Sequence, residues 1–202
     1  MKQPTSSTVR SGRPRSFDRQ HALTEAMLQF WQHGYEGTSV TALTTAMGVT
    51  PPSLYAAFGN KERLFLEAAR LYTGELSDLV DRLASASTAR EAIHDFLVGS
   101  AVTYTGSSTP AGCLLASATA SGSPASADVQ RAVAEIRADT AQALQSRVQR
   151  DIDEALLPKE TDPAILASLA VCLTQGMSVL ARDGASRQTL LSIVDQSMKS
   201  WP

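Results

Sequence analysis

The chain has 202 residues, 43% of them hydrophobic, and a formal net charge of −2. That length and apolar content fit one sizeable core, or a small head on a larger body, and exclude a disordered chain. Residues 1–70 carry eight Lys and Arg against five Asp and Glu, and the remainder ten against fifteen, so a basic head precedes an acidic body.

In chain order, residues 1–17 read as a basic, flexible arm, rich in Ser, Thr, Pro and Gly at its start and carrying Arg13 and Arg15. Asp18 is an N-cap for a helix to about His33, where Gly34 stops it. Leu23, Ala26, Met27, Phe30 and Trp31 share one face of that helix. Thr38 caps a second helix with Val40, Leu43 and Met47 turned inward, and Gly48 supplies the left-handed residue that a sharp turn needs. Thr50 caps a third helix, with Pro51 at its first position, where a missing N–H costs nothing. Gly59 ends it and Asn60 caps a fourth, which continues to about Ala84. Helical spacing persists through 88–105, 111–121, 126–157, 163–182 and 186–200. Turn signals at Gly106–Pro110, Gly122–Pro124, Pro158–Asp162 and Asp183–Ala185 separate these segments, and Asp162-Pro163 is a strong helix start. The expected class is all-α: a three-helix head over 18–62, a connecting helix over 60–84, and a helical body over 85–202.

The head has the makings of a helix-turn-helix DNA reader. A reading helix must be short, project small or polar groups into the major groove, and be held by a rigid partner. Over 50–58, Pro51, Pro52, Ser53 and Ala56 lie on or near the exposed side, while Tyr55, next to inward Leu54, points out to donate its hydroxyl to a phosphate. Lys61 with the amides near Asn60, and Thr38 with Ser39, stand at helix starts that suit phosphate. Arg13 and Arg15 can enter an adjacent minor groove. The exposed reading side lacks Arg, Asn and Gln, leaving Ser53, apolar contacts with thymine methyls, and DNA shape.

These residues carry a resemblance. GRPR at 12–15, FWQHGYEGTSV at 30–40, MGVTPPSLYAAFGNKERLF at 47–65 and Leu71–Tyr72 make residues 12–72 similar to the DNA-binding domain of the TetR family of transcriptional regulators. The resemblance implies phosphate contacts at Thr38, Tyr55 and Lys61 and base-facing positions at Pro51, Pro52, Ser53 and Ala56. The double Pro departs from the polar or small residues of many members. It further implies a helical ligand-binding and dimerisation domain past about residue 85, a homodimer built on the last two long helices, double-stranded DNA as partner, and repression relieved by a small-molecule effector.

The sequence permits that dimer. Leu166, Leu169, Leu173, Met177 and Leu180 form one apolar stripe, and Leu190, Leu191, Val194 and Met198 another, though both also read as plain core. Candidate pocket residues are Phe96, Tyr104, Cys113, Leu114, Gln175 and Met177, each equally readable as packing. Cys113 and Cys172, far apart and without a CxxC or Cys/His cluster, read as small buried apolar residues rather than a disulfide or metal site. Cys113 stands at a predicted helix start, where a thiolate is favoured, which keeps open a thiol- or metal-responsive regulator. The lack of GxSxG, HExxH, GxGxxG and Walker patterns argues against an enzyme, and no cofactor is expected. A helical interaction module without DNA binding would need the arm and Tyr55 to be idle. No apolar run approaches bilayer length and the N-terminus has no secretory pattern, so the expected location is the cytoplasm, with no membrane partner.

Overall fold

The computed structural model describes residues 18–119 and 126–202. Arg13, Arg15 and the corner expected at Gly122–Pro124 lie outside the described residues. Among those described there are ten α-helices, a closing 3-10 turn (Met198–Ser200) and no strand: α1 (Arg19–Gly37), α2 (Val40–Met47), α3 (Pro51–Phe58), α4 (Lys61–Thr73), α5 (Leu76–Ser85), α6 (Ala89–Tyr104), α7 (Leu114–Thr119), α8 (Ala127–Asp153), α9 (Pro163–Arg182) and α10 (Arg187–Ser197).

The helix starts follow their caps. The side chains of Asp18, Thr50, Asn60, Asp162 and Ser186 each accept a backbone N–H from the first turn they precede. Two expectations are corrected. The helix expected over 60–84 is two helices, broken at Gly74, whose backbone has a positive φ, and Glu75. The helix start at 39 is capped by Ser39, whose hydroxyl accepts the Ala42 N–H, and not by Thr38.

One continuous buried cluster joins head and body. In the head, Phe30, Leu43, Leu54, Leu64 and Phe65 are fully buried, with the Phe30 and Phe65 rings edge to face at 5.2 Å. In the body, α6 and α9 pack together, α8 lies against α5 and α9, and α10 closes on α6.

A buried ion pair holds the start of the body. Arg147 is 4% exposed and Asp151 2%, one helical turn apart on α8. Besides pairing with Asp151, Arg147 donates from Nε to the Leu83 carbonyl (3.0 Å) and from Nη2 to the Ala86 carbonyl (3.2 Å). Asp151 accepts the Ala89 N–H at 2.6 Å. The cation therefore satisfies carbonyls where α5 ends, and the anion satisfies an amide where α6 begins, matching the sign of each helix terminus.

Helix α9 overturns the expectation that no run reaches bilayer length: its twenty residues are apolar enough, by length and composition, to cross one. The reason is that it has two apolar faces. Ala167, Ala170, Met177 and Ala181 are buried in the body, whereas Ile165 (63% exposed), Leu169 (47%), Val179 (57%) and Leu180 (40%) face out.

Asp151→Ala leaves the Arg147 guanidinium buried without its carboxylate, and is expected to lower unfolding free energy by about 3–5 kcal/mol in urea titration. A loss below about 1 kcal/mol would contradict the clamp.

Candidate nucleic-acid interface and body cavity

The exposed end of the head is built by α2, α3 and the start of α4. Helix α3 buries Leu54 and Phe58 and thereby turns Pro51, Pro52, Ser53, Tyr55 and Ala56 to solvent, with Tyr55 48% exposed. The Ser53 and Thr50 hydroxyls lie 2.9 Å apart, so the cap and the one polar side chain among the base-facing candidates are linked. Ser39 is exposed at the start of α2.

Thr38 is placed otherwise than expected. It is 1% exposed, and its hydroxyl donates inward to the Gly34 carbonyl at 2.6 Å. The cause is Gly34: with φ 72° it takes the chain out of helical geometry, and the Thr38 hydroxyl satisfies the carbonyl so exposed. That side chain is not available to a phosphate in this conformation.

Lys61 has a partner that the sequence reading missed. Its Nζ lies 4.4 Å from the centroid of the Tyr35 ring, which itself packs against Phe30 and Phe65. Burial lowers the Lys61 pKa, and the charge of Glu36 acts the other way. Burial, then Glu62 and Glu36, raises that of Tyr35. The ammonium is thus seated on a fixed aromatic face beside the N-terminus of α4. The signal was an aromatic on the segment leading into Thr38, which helical periodicity alone reads as core. Arg19 is committed elsewhere: it pairs with Glu67 at 2.6 Å and lies over the Phe58 ring.

The body holds a cavity of about 1140 Å³ between α4, α5, α6, α8 and α9. Phe96, Tyr104, Cys113 and Gln175 line it, together with Tyr72 and Thr174. Leu114 and Met177 do not; both are buried in the core, Leu114 fully and Met177 at 1% exposed. Burial, reinforced by the neighbouring Cys113 thiol, pushes the Tyr72 and Tyr104 phenols well above the usual tyrosine range. At neutral pH the wall thus presents protonated phenols. Cys172, expected to be buried, is exposed.

The terminal stripes are also divided. Leu169 and Leu180 are exposed and Leu166, Leu173 and Leu191 half-buried, but Met177, Leu190, Val194 and Met198 are buried within the subunit. These four are core residues: Met177 lies on the face of α9 that packs within the body, and α10 with the turn after it brings Leu190, Val194 and Met198 onto the body core.

Three comparisons bear on this geometry. The family model described as bacterial regulatory proteins, tetR family, matches residues 22–68. The HTH-type transcriptional repressor ComR of Escherichia coli is 36% identical over 200 residues, covering 95% of this chain and 92% of the relative. A solved structure of a cysteine-substituted TetR family regulator, CifR, in complex with 26-base-pair double-stranded operator DNA, is 40% identical with a TM-score of 0.88, covering 95% of this chain and all of that one. A Rhodococcus protein described as a TetR regulator is 36% identical, with a TM-score of 0.60, over 91% of this chain and 98% of its own.

The cap geometry makes a distinct prediction. Ser39→Ala should lower stability by about 1 kcal/mol, while Thr38→Val, which leaves a buried carbonyl without its donor, should cost about 1–3 kcal/mol. Equal and negligible effects in thermal unfolding would contradict both assignments.

Proposed function

The chain belongs to the TetR family of bacterial regulatory proteins, and from that premise we propose that it is a transcriptional repressor that binds a two-fold symmetric operator as a homodimer. The observation that carries the reading is the exposed end of the head: a short helix with an outward Tyr55, flanked by two N-capped helix starts, one bearing a seated lysine. First-turn amides have no partner within their helix and carry the positive end of its dipole, so both starts suit phosphate oxygens. The operator complex of a protein 40% identical along nearly the whole chain supports the same docking.

In this reading Ser39, Tyr55 and Lys61 hold phosphates and set the register of α3 in the major groove. Pro51, Pro52, Ser53 and Ala56 face the bases, where apolar contact and DNA shape carry much of the discrimination. The exposed face of α9, with Ile165, Leu169, Val179 and Leu180, meets the same face of a second subunit, a self-complementary arrangement of the kind a two-fold axis requires. It accounts for a helix that is apolar on both sides. The protein acts in the cytoplasm, where its operator is.

The cavity is the proposed effector site. Its volume suits a small molecule, and its wall combines apolar surface with the Tyr72, Tyr104, Thr174 and Gln175 hydrogen-bonding groups. An effector that binds one arrangement of the body more tightly shifts the population toward it, and the dimer releases DNA when its reading helices no longer match grooves ~34–36 Å apart. The place of Cys113 in the wall, between two phenols, favours one second reading, in which the response runs through its thiol.

Two sets of variants test this. Lys61→Ala should weaken binding to every duplex and reduce the salt slope by about 1. Tyr55→Phe should weaken binding uniformly with little change in slope. Ser53→Ala should alter base preference more than overall affinity. Wild-type binding in both Lys61→Ala and Tyr55→Phe would contradict the phosphate assignment. Val179→Glu, which puts a charge into the apolar face, should sediment as a monomer and lose operator affinity. A dimer of wild-type strength would place the interface elsewhere.

A further inference from the structure

We infer that Arg182 is a positioning residue for operator recognition: it clamps the DNA-reading head to the helix that carries the dimer face, and so sets the spacing between two heads. The inference rests on the dimeric reading given above. Arg182 stands in the last turn of α9. Its Nη2 donates to the Trp31 carbonyl of α1 at 2.9 Å and to the Ser117 hydroxyl of α7. One guanidinium therefore joins the first helix of the head, the short helix of the body and the proposed dimer helix.

The surroundings leave this junction little slack. A Cβ on Gly34 would lie 2.8 Å from the Ser117 carbonyl, and one on Gly112 would lie 2.9 Å from Arg182 Cγ and from the Ser178 carbonyl. The Trp31 indole N–H donates to the Gly112 carbonyl at 2.9 Å, and the Cys113 N–H donates to the Ser178 hydroxyl at 2.8 Å. Both glycines have φ in the left-handed region, 72° and 80°, so neither approach is open to a side chain. Around the Arg182 guanidinium and the Trp31 indole, the junction is thus closed by backbone atoms and short polar groups that leave little room for adjustment.

The same junction borders the cavity. Cys113 and Leu115, on the segment that Arg182 grips, line it, and Tyr72 packs edge to face on Trp31 at 4.7 Å. An occupant that displaces this wall bears directly on the clamp. Arg182 is where displacement in the body becomes a change of head orientation.

The test compares full-length wild type, Arg182→Met and Ser117→Ala by fluorescence anisotropy. Three duplexes of similar length are used: a site selected by the wild type, that site with one base pair inserted between its half-sites, and a scrambled sequence. The wild type is expected to prefer the native spacing by roughly tenfold or more. Arg182→Met should reduce that preference to below about threefold, while its binding to scrambled DNA and the salt slope stay at wild-type values, because the phosphate-holding groups are untouched. A merely destabilising substitution would not separate these readouts. Ser117→Ala, which removes one of the two anchors, should fall between. A folded Arg182→Met with full spacing preference overturns the inference. Should Arg182→Met not fold, an undiminished preference in Ser117→Ala overturns it. A wild type that does not distinguish the spacings contradicts the dimeric reading itself and removes the ground of the inference.

Discussion

Two adjacent residues on α1, Phe30 and Trp31, face two different sets of neighbours, and the rest of the architecture depends on that division. Phe30 is fully buried against Phe65 and Tyr35 in the head. Trp31 packs on Tyr72 and donates to the Gly112 carbonyl in the body. A helix that packs on both the head and the body side of one continuous core cannot reorient without disturbing both, since packed interiors are closer to solids than to oil. The connection between reading head and cavity is therefore direct packing and hydrogen bonding, with no flexible linker between them.

The same economy governs α9. A soluble helix ordinarily buries one stripe and exposes a polar face. This one buries small residues against α6 and α8, and leaves large aliphatic residues outside. Small inward residues let the helix approach closely, and the large outward ones leave apolar area uncovered within the subunit. The Arg147–Asp151 pair plays a different part. It is expensive to bury, but each guanidinium nitrogen and each carboxylate oxygen has a backbone or ionic partner. It fixes the join between α5 and α6, which form part of the cavity wall.

What was legible in the sequence was local. Caps such as Asp18, Thr50, Asn60, Asp162 and Ser186 act on amides two or three residues away, so residue type and spacing suffice to read them. The outward turn of Tyr55 followed from inward Leu54 by helical geometry alone. The long motif from Phe30 to Phe65 gave the family. What failed was non-local or depended on one dihedral. Thr38 looked like a cap because Thr precedes an apolar periodic run; the turn at Gly34 swings it inward and passes the role to Ser39. Apolar spacing carried the fourth helix to about Ala84, but the positive φ at Gly74 ends it there. Met177, Leu190, Val194 and Met198 sat on apolar stripes, but a helix with two apolar faces does not say which one meets its own subunit. Cys172 was misplaced for the same reason, and Leu114 because a core residue and a cavity-lining one carry the same apolar signal. The roles of Tyr35, Arg147 and Arg182 depend on residues 26, 64 and up to 151 positions away, beyond any periodicity.

The central claim is that this chain reads DNA as a symmetric dimer, and sequencing of random duplex DNA retained by the purified full-length protein tests it most directly. The account predicts enrichment of a palindrome with half-sites about one helical turn apart, or a multiple of it, bound by two subunits or a multiple of two. Retention of duplexes with no shared sequence, or of a single asymmetric site by a monomer, would contradict it.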